Sequence, residues 1–142
     1  MQGKVIAVNT ADKRGTPKKN IGAGYLREGW GLEGDAHAGP WDRQISLFPL
    51  EAMALIPPDI KPTIAEGDYS ENITIEGIPL EKLKIGGRLR IGEAEVLICH
   101  IGKEKPKATG RPYIVSREGR FGTVIKSGKV AAGDSVILVG QE

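Results

Sequence analysis

Apolar and polar positions alternate with a period of two over most of this chain, and the helical period is rare. Lys4 to Val8 alternates and is rich in valine and isoleucine, which predicts a first strand entering a core. Ile21 to Glu28 reads as a short extended segment, and Gln44-Ile45-Ser46-Leu47 as a strand. Pro49 then stands where a helix begins, with Leu50, Met53 and Ala54 at helical spacing, and Pro57-Pro58 ends that helix. Ser70 to Ile75 alternates again, with Glu71 and Asn72 at the mouth of the predicted strand. Leu83 to Ile85, Arg88 to Ile91, Glu95 to Ile101, Thr123 to Lys126 and Ser135 to Val139 complete the set of β-rich segments. Between them lie Gly86-Gly87, Gly92-Glu93, Ser127-Gly128 and Gly133-Asp134, the residues that tight turns select, so a run of hairpins is expected. Short strands with regular turn signals argue for a mainly β barrel or sandwich with one or two short helices. No boundary or convincing repeat divides the chain, and residues 1–142 read as one domain.

Composition narrows the setting. The 142 residues carry a formal charge of +2, too small to argue for nucleic acid unless the cations cluster on one face. The aromatic residues (two Trp, three Tyr, two Phe) do not interleave with the cations as a base-stacking groove requires. The single cysteine, Cys99, forms no intramolecular bridge, and Met1 to Val5 shows no signal-peptide pattern; a reducing cytoplasm is the expectation. No apolar run approaches the roughly 18 residues that cross a bilayer, so no membrane partner is expected.

The candidate chemistry sits on loops. Gly31 to Gln44 crowds Asp35, His37, Trp41 and Arg43 among glycines that let a backbone pass close to a ligand, and the strand that follows fixes Arg43 and Gln44 at the rim of a scaffold. The same composition also suits a plain glycine-rich connection whose polar groups satisfy one another. Likewise, Glu71 and Asn72 read either as site residues or as caps of backbone groups at a strand end. Asp12 to Asn20 holds four cations, Lys13, Arg14, Lys18 and Lys19, as a solvated loop or as a lid over an anion. Asp35, His37 and His100 do not have the spacing of a zinc site, so no resident metal is expected, and no nucleophile stands beside the Asp35/His37 pair.

Three stretches resemble the small stand-alone members of the MOSC domain family, named after the C-terminal domain of molybdenum-cofactor sulfurase. They are Gly31 to Leu47 with Gly-Asp-Ala-His-Ala-Gly and Arg-Gln, Glu66 to Leu80 with Ser-Glu-Asn-Ile-Thr-Ile, and Ser116 to Val136 with Arg-Glu-Gly-Arg-Phe-Gly-Thr-Val. The resemblance implies a closed, mixed β-barrel and an anionic pterin ligand of the molybdopterin type. It also implies molybdenum and pyridoxal phosphate as ligand chemistries, and a molybdoenzyme or a cofactor-biosynthesis protein as partner. The residues expected to bind that cofactor are Asp35, His37, Arg43, Gln44, Glu71, Asn72, Lys103 and Arg117.

The similar proteins carry cysteines after the segment that here reads Ile101-Gly102-Lys103-Glu104. In this chain Lys105 to Val115 is thiol-free and rich in cations, with Lys105, Lys107 and Arg111 joining Lys103. A persulfide carrier needs an accessible thiolate, so the expected function is cofactor binding without sulfur transfer. The alternative is a sulfur carrier that uses Cys99, which lies in the apolar run Val96-Leu97-Ile98-Cys99, where a buried structural thiol is the plainer reading.

Overall fold

The computed structural model describes residues 2–11, 19–55, 71–102 and 118–139. Strands β1 (Gln2–Thr10), β2 (Lys19–Asn20), β3 (Ala23–Arg27), β4 (Gly31–Leu32), β5 (Ile45–Pro49) and β6 (Ile73–Glu76) form the first half. β7 (Arg88–Ile91), β8 (Ala94–Ile101), β9 (Arg120–Lys126), β10 (Gly128–Ala131) and β11 (Ser135–Val139) form the second. The wall runs β11-β7-β8-β9-β5-β6-β1, and β1 pairs back onto β11, so seven strands close a barrel. Only β5 and β6 are parallel within it, which makes the barrel mixed, as expected. A side sheet β10-β3-β4 and the short β2 pack against this wall.

The two-residue period explains what fills the barrel. Val5, Val8, Ile45, Leu47, Ile73, Ile75, Leu89, Ile91, Val96, Ile98, Val124 and Val136 form one core. β5 is buried at every position because both its faces are covered: Ile45 and Leu47 join that core, whereas Phe48 packs with Ala52 on the other side of the wall. This two-sided burial produces the nearly unbroken apolar run that parallel strands show.

Three local expectations are corrected. The helix expected after Pro49 is a 3-10 helix over Leu50–Leu55, and a second one covers Leu80–Lys82. The helix end predicted at Pro57-Pro58 lies outside the described residues. Leu83 to Ile85 is not a strand; it follows the second 3-10 helix, and the guanidinium of buried Arg120 donates to the carbonyls of Leu80 and Leu83 at 3.1 and 3.0 Å. Finally, of the four glycine turns read from the sequence, only Gly92-Glu93 joins two paired strands as a tight hairpin, β7 to β8. After Ser127 the chain enters β10, which pairs with β3, and after Gly133-Asp134 it enters β11, which pairs with β7 and β1. Turn residues report a reversal of the chain; they do not report which strand lies alongside.

Candidate functional site

The Gly31 to Gln44 stretch leaves β4, folds through turns and re-enters the wall at β5. Gly31 has φ 125°, and a Cβ there would run into the Gln44 carbonyl, so only glycine lets the two ends of the loop meet. Gly39 N donates to Trp30 O at 2.8 Å, and the Trp41 indole N–H donates to His37 O at 2.8 Å, which fixes the tip.

Asp35 locks the loop to the end of β1. Its side chain has no exposed surface. Oδ1 accepts from Ala11 N at 3.0 Å and Thr10 Oγ1 at 3.2 Å, and Oδ2 accepts from His37 N at 3.1 Å. The His37 ring is part-exposed, its Nδ1 3.8 Å from Asp35 Oδ2.

Asn72 performs a similar task one strand away. Its Oδ1 accepts from Ser46 N at 3.0 Å and Ser46 Oγ at 3.1 Å, its own N donates to Ser46 Oγ at 3.0 Å, and its Nδ2 donates to Asn9 O at 3.3 Å. The Asn9 amide in turn donates to Glu71 O at 2.8 Å. Gln44 Oε1 accepts from Val124 N at 3.1 Å and so extends the β5–β9 ladder with a side chain. Asp35, Gln44, Glu71 and Asn72 are all buried, and these hydrogen bonds tie them chiefly to β1, β5 and β9, with backbone groups as the commonest partners.

Arg43 is different. Its guanidinium lies over the Phe121 ring at 4.6 Å, and Nη1 donates to Gly102 O at a long 3.4 Å. Among the described residues no carboxylate lies within ion-pair distance of it. Directly beside it, Asp42 Oδ2 stands 2.6 Å from His100 Nε2. That bond holds the Asp42 carboxyl below the usual aspartate range, helped by the positive charge of the neighbours.

The register explains why these groups meet. Ser46 lies opposite Phe121, and Phe121 opposite His100, and residues directly opposite share a face. None of the three belongs to the barrel core, so they form a row on the far side of the wall, under the 33–44 loop. A bulge between Ile98 and His100 makes Cys99 the extra residue of β8, half-buried, its thiol 3.6 Å from Leu97 O. The same loop therefore receives the roots of two distant segments: Ala11 through Asp35, and Gly102 through Arg43.

Lys103, Arg117, Lys105, Lys107, Arg111 and the Lys13 to Lys18 cations lie outside the described residues; Lys19 is exposed on β2. Among the described residues no group of three or more His, Cys, Asp or Glu is placed to hold a metal ion, and no helix is long and apolar enough to cross a membrane. Sequence reasoning did not single out Asn9, Ser46, Asp42 or Phe121. No spacing signals them, because their partners come from strands that pair at long range.

A sequence profile of the MOSC domain matches residues 34–137, which takes in most of the site loop and ends in the last strand. The chain belongs to the MOSC domain family. Its fold is shared with the YuaD protein from Bacillus subtilis, 21% identical with a TM-score of 0.71, over 96% of this chain and 94% of that one. YiiM from Escherichia coli is 22% identical with a TM-score of 0.69, over 100% of this chain and 71% of its own. YiiM from Geobacillus stearothermophilus is 16% identical with a TM-score of 0.67, over 96% and 75%. No curated protein matches this MOSC domain by sequence. Membership places the chain in a molybdenum-cofactor-related family.

Proposed function

We propose that this MOSC domain is a binding module for the molybdenum cofactor or a kindred phosphorylated pterin, with Arg43 as the anchor for the phosphate. The observation that carries the reading is the state of that arginine: half-buried on an aromatic platform, with one long carbonyl contact and no paired carboxylate among the described residues. Arginine carries five N–H donors in a planar fork suited to phosphate, and most of that capacity remains available here.

The residues fit such a group. Arg43 would hold the phosphate, and the His37 imidazole borders the same loop. Asp35, Gln44, Glu71 and Asn72 would act through the backbone they fasten, keeping the loop in one shape for the ligand. Lys103 and Arg117 would add charge from the segments that begin beyond Gly102 and end before Glu118. The cofactor, when bound, supplies molybdenum chemistry through its own sulfur ligands; this chain supplies binding and orientation.

Sulfur transfer through Cys99 stands second. The contact to Leu97 O uses the S–H as a donor, whereas a persulfide carrier works as the thiolate. To test the proposal, the protein is purified from cells that make the cofactor, denatured and oxidised. A fluorescent pterin approaching one per chain is the expected result. Absence of pterin, with a persulfide on Cys99 after incubation with a cysteine desulfurase and cysteine, would favour the carrier.

A further inference from the structure

The residue next to Arg43 in the chain is a carboxylate, the group most able to neutralise it. An exposed aspartate beside an arginine would ordinarily compete with any anionic ligand for the guanidinium. Here the Asp42 carboxylate is drawn the other way, onto His100 Nε2 at 2.6 Å. Arg43 meanwhile turns to the Phe121 ring and Gly102 O. His100 reaches this place because the bulge at Cys99 brings it opposite Phe121, on the same face as the arginine's platform.

We infer that His100 is a positioning residue that diverts the Asp42 carboxylate from Arg43 and thereby keeps the guanidinium open to an anion of the phosphate class. The inference rests on the reading of Arg43 as the ligand anchor and assigns the residues that maintain it. It gives Asp42 and His100 opposite roles: one is a latent competitor, the other restrains it. A bond that merely braced the loop would give them the same role.

That contrast defines the experiment. Binding of a phosphorylated pterin, and separately of inorganic pyrophosphate, is measured by calorimetry for wild type, Arg43→Ala, His100→Ala, Asp42→Asn and the double variant Asp42→Asn/His100→Ala. His100→Ala frees Asp42 to fall onto Arg43, and the pterin should bind about three- to five-fold more weakly, the scale of one exposed ion pair. In the double variant the competitor has lost its charge, and affinity should return to that of wild type or exceed it. His100→Gln, whose amide still donates to Asp42, should lie between wild type and His100→Ala. Thermal melts of each variant identify any that fail to fold, and the Gln and Asn variants carry the test in that event.

Equal losses in His100→Ala and Asp42→Asn with no recovery in the double variant would show a simple brace and overturn the inference, while leaving Arg43 as the anchor if Arg43→Ala also loses affinity. Unchanged binding in Arg43→Ala, or no binding by wild type, would overturn the reading of the site and the inference with it.

Discussion

Replacing Asn72 with alanine separates a structural fastener from a ligand contact. Asn72 is 1% exposed, and its side chain accepts from the amide and hydroxyl of Ser46 and donates to Asn9 O. Alanine would leave the Ser46 amide and the Asn9 carbonyl buried without that partner; the Ser46 hydroxyl can turn to another acceptor. Orphaning a buried polar group costs about 1–3 kcal/mol, so two of them predict a loss of about 2–6 kcal/mol, before a small cavity term. For a chain of this size each kcal/mol moves Tm by about 2–4 °C, giving a fall of roughly 4–24 °C. Urea unfolding at unchanged slope should show the same loss as a lower midpoint. Asn72→Asp keeps the acceptors but buries a charge and loses the donor to Asn9, so it should not rescue stability. A Tm within a degree or two of wild type, with weakened pterin binding, would refute this assignment and make Asn72 a direct ligand contact.

Three further outcomes follow from single positions. Gly92→Ala should cost at least about 2 kcal/mol in urea unfolding, because φ 57° is a left-handed conformation and a Cβ would stand 2.6 Å from Asp134 Oδ2 and 2.7 Å from Lys129 O; a neutral effect would mean the β7–β8 turn relaxes freely. Asp42 has its pKa lowered by the bond to His100, so the stability the pair lends is whole above the unfolded aspartate value of about 3.9 and is lost as pH falls through the lower folded value. Melts from pH 5 to pH 2.5 should therefore show a steeper acid decline in wild type than in Asp42→Asn, and identical profiles would contradict the bond. Cys99 should gain no sulfur mass after treatment with a cysteine desulfurase and cysteine; a persulfide lost in Cys99→Ala would reinstate the carrier.

How much of this was legible beforehand divides by range. The barrel strands announced themselves through alternation, since Val5, Val8, Leu89, Ile91, Val96 and Ile98 all enter one core. Loop glycines marked where the backbone crowds, as Gly31 against Gln44 shows. The strand neighbours were not legible, because β10 leaves a turn to join β3 and β5 runs parallel to β6, and both pairings are decided by distant burial. The candidate site residues were named by type and by place along the chain. Their partners were hidden: Asp35 on Ala11, Asn72 on Ser46 and Asn9, and Asp42 on His100 are contacts across 24 to 63 positions that no local spacing encodes.

The anchor itself is tested most directly by titrating a phosphorylated pterin into wild type, Arg43→Ala and Arg43→Lys in a calorimeter. Lost charge and lost bidentate geometry should weaken binding at least several-fold in Arg43→Ala, with Arg43→Lys recovering only part because an ammonium cannot present the planar fork. Equal affinity in all three proteins would contradict the assignment of Arg43 as the phosphate-binding group.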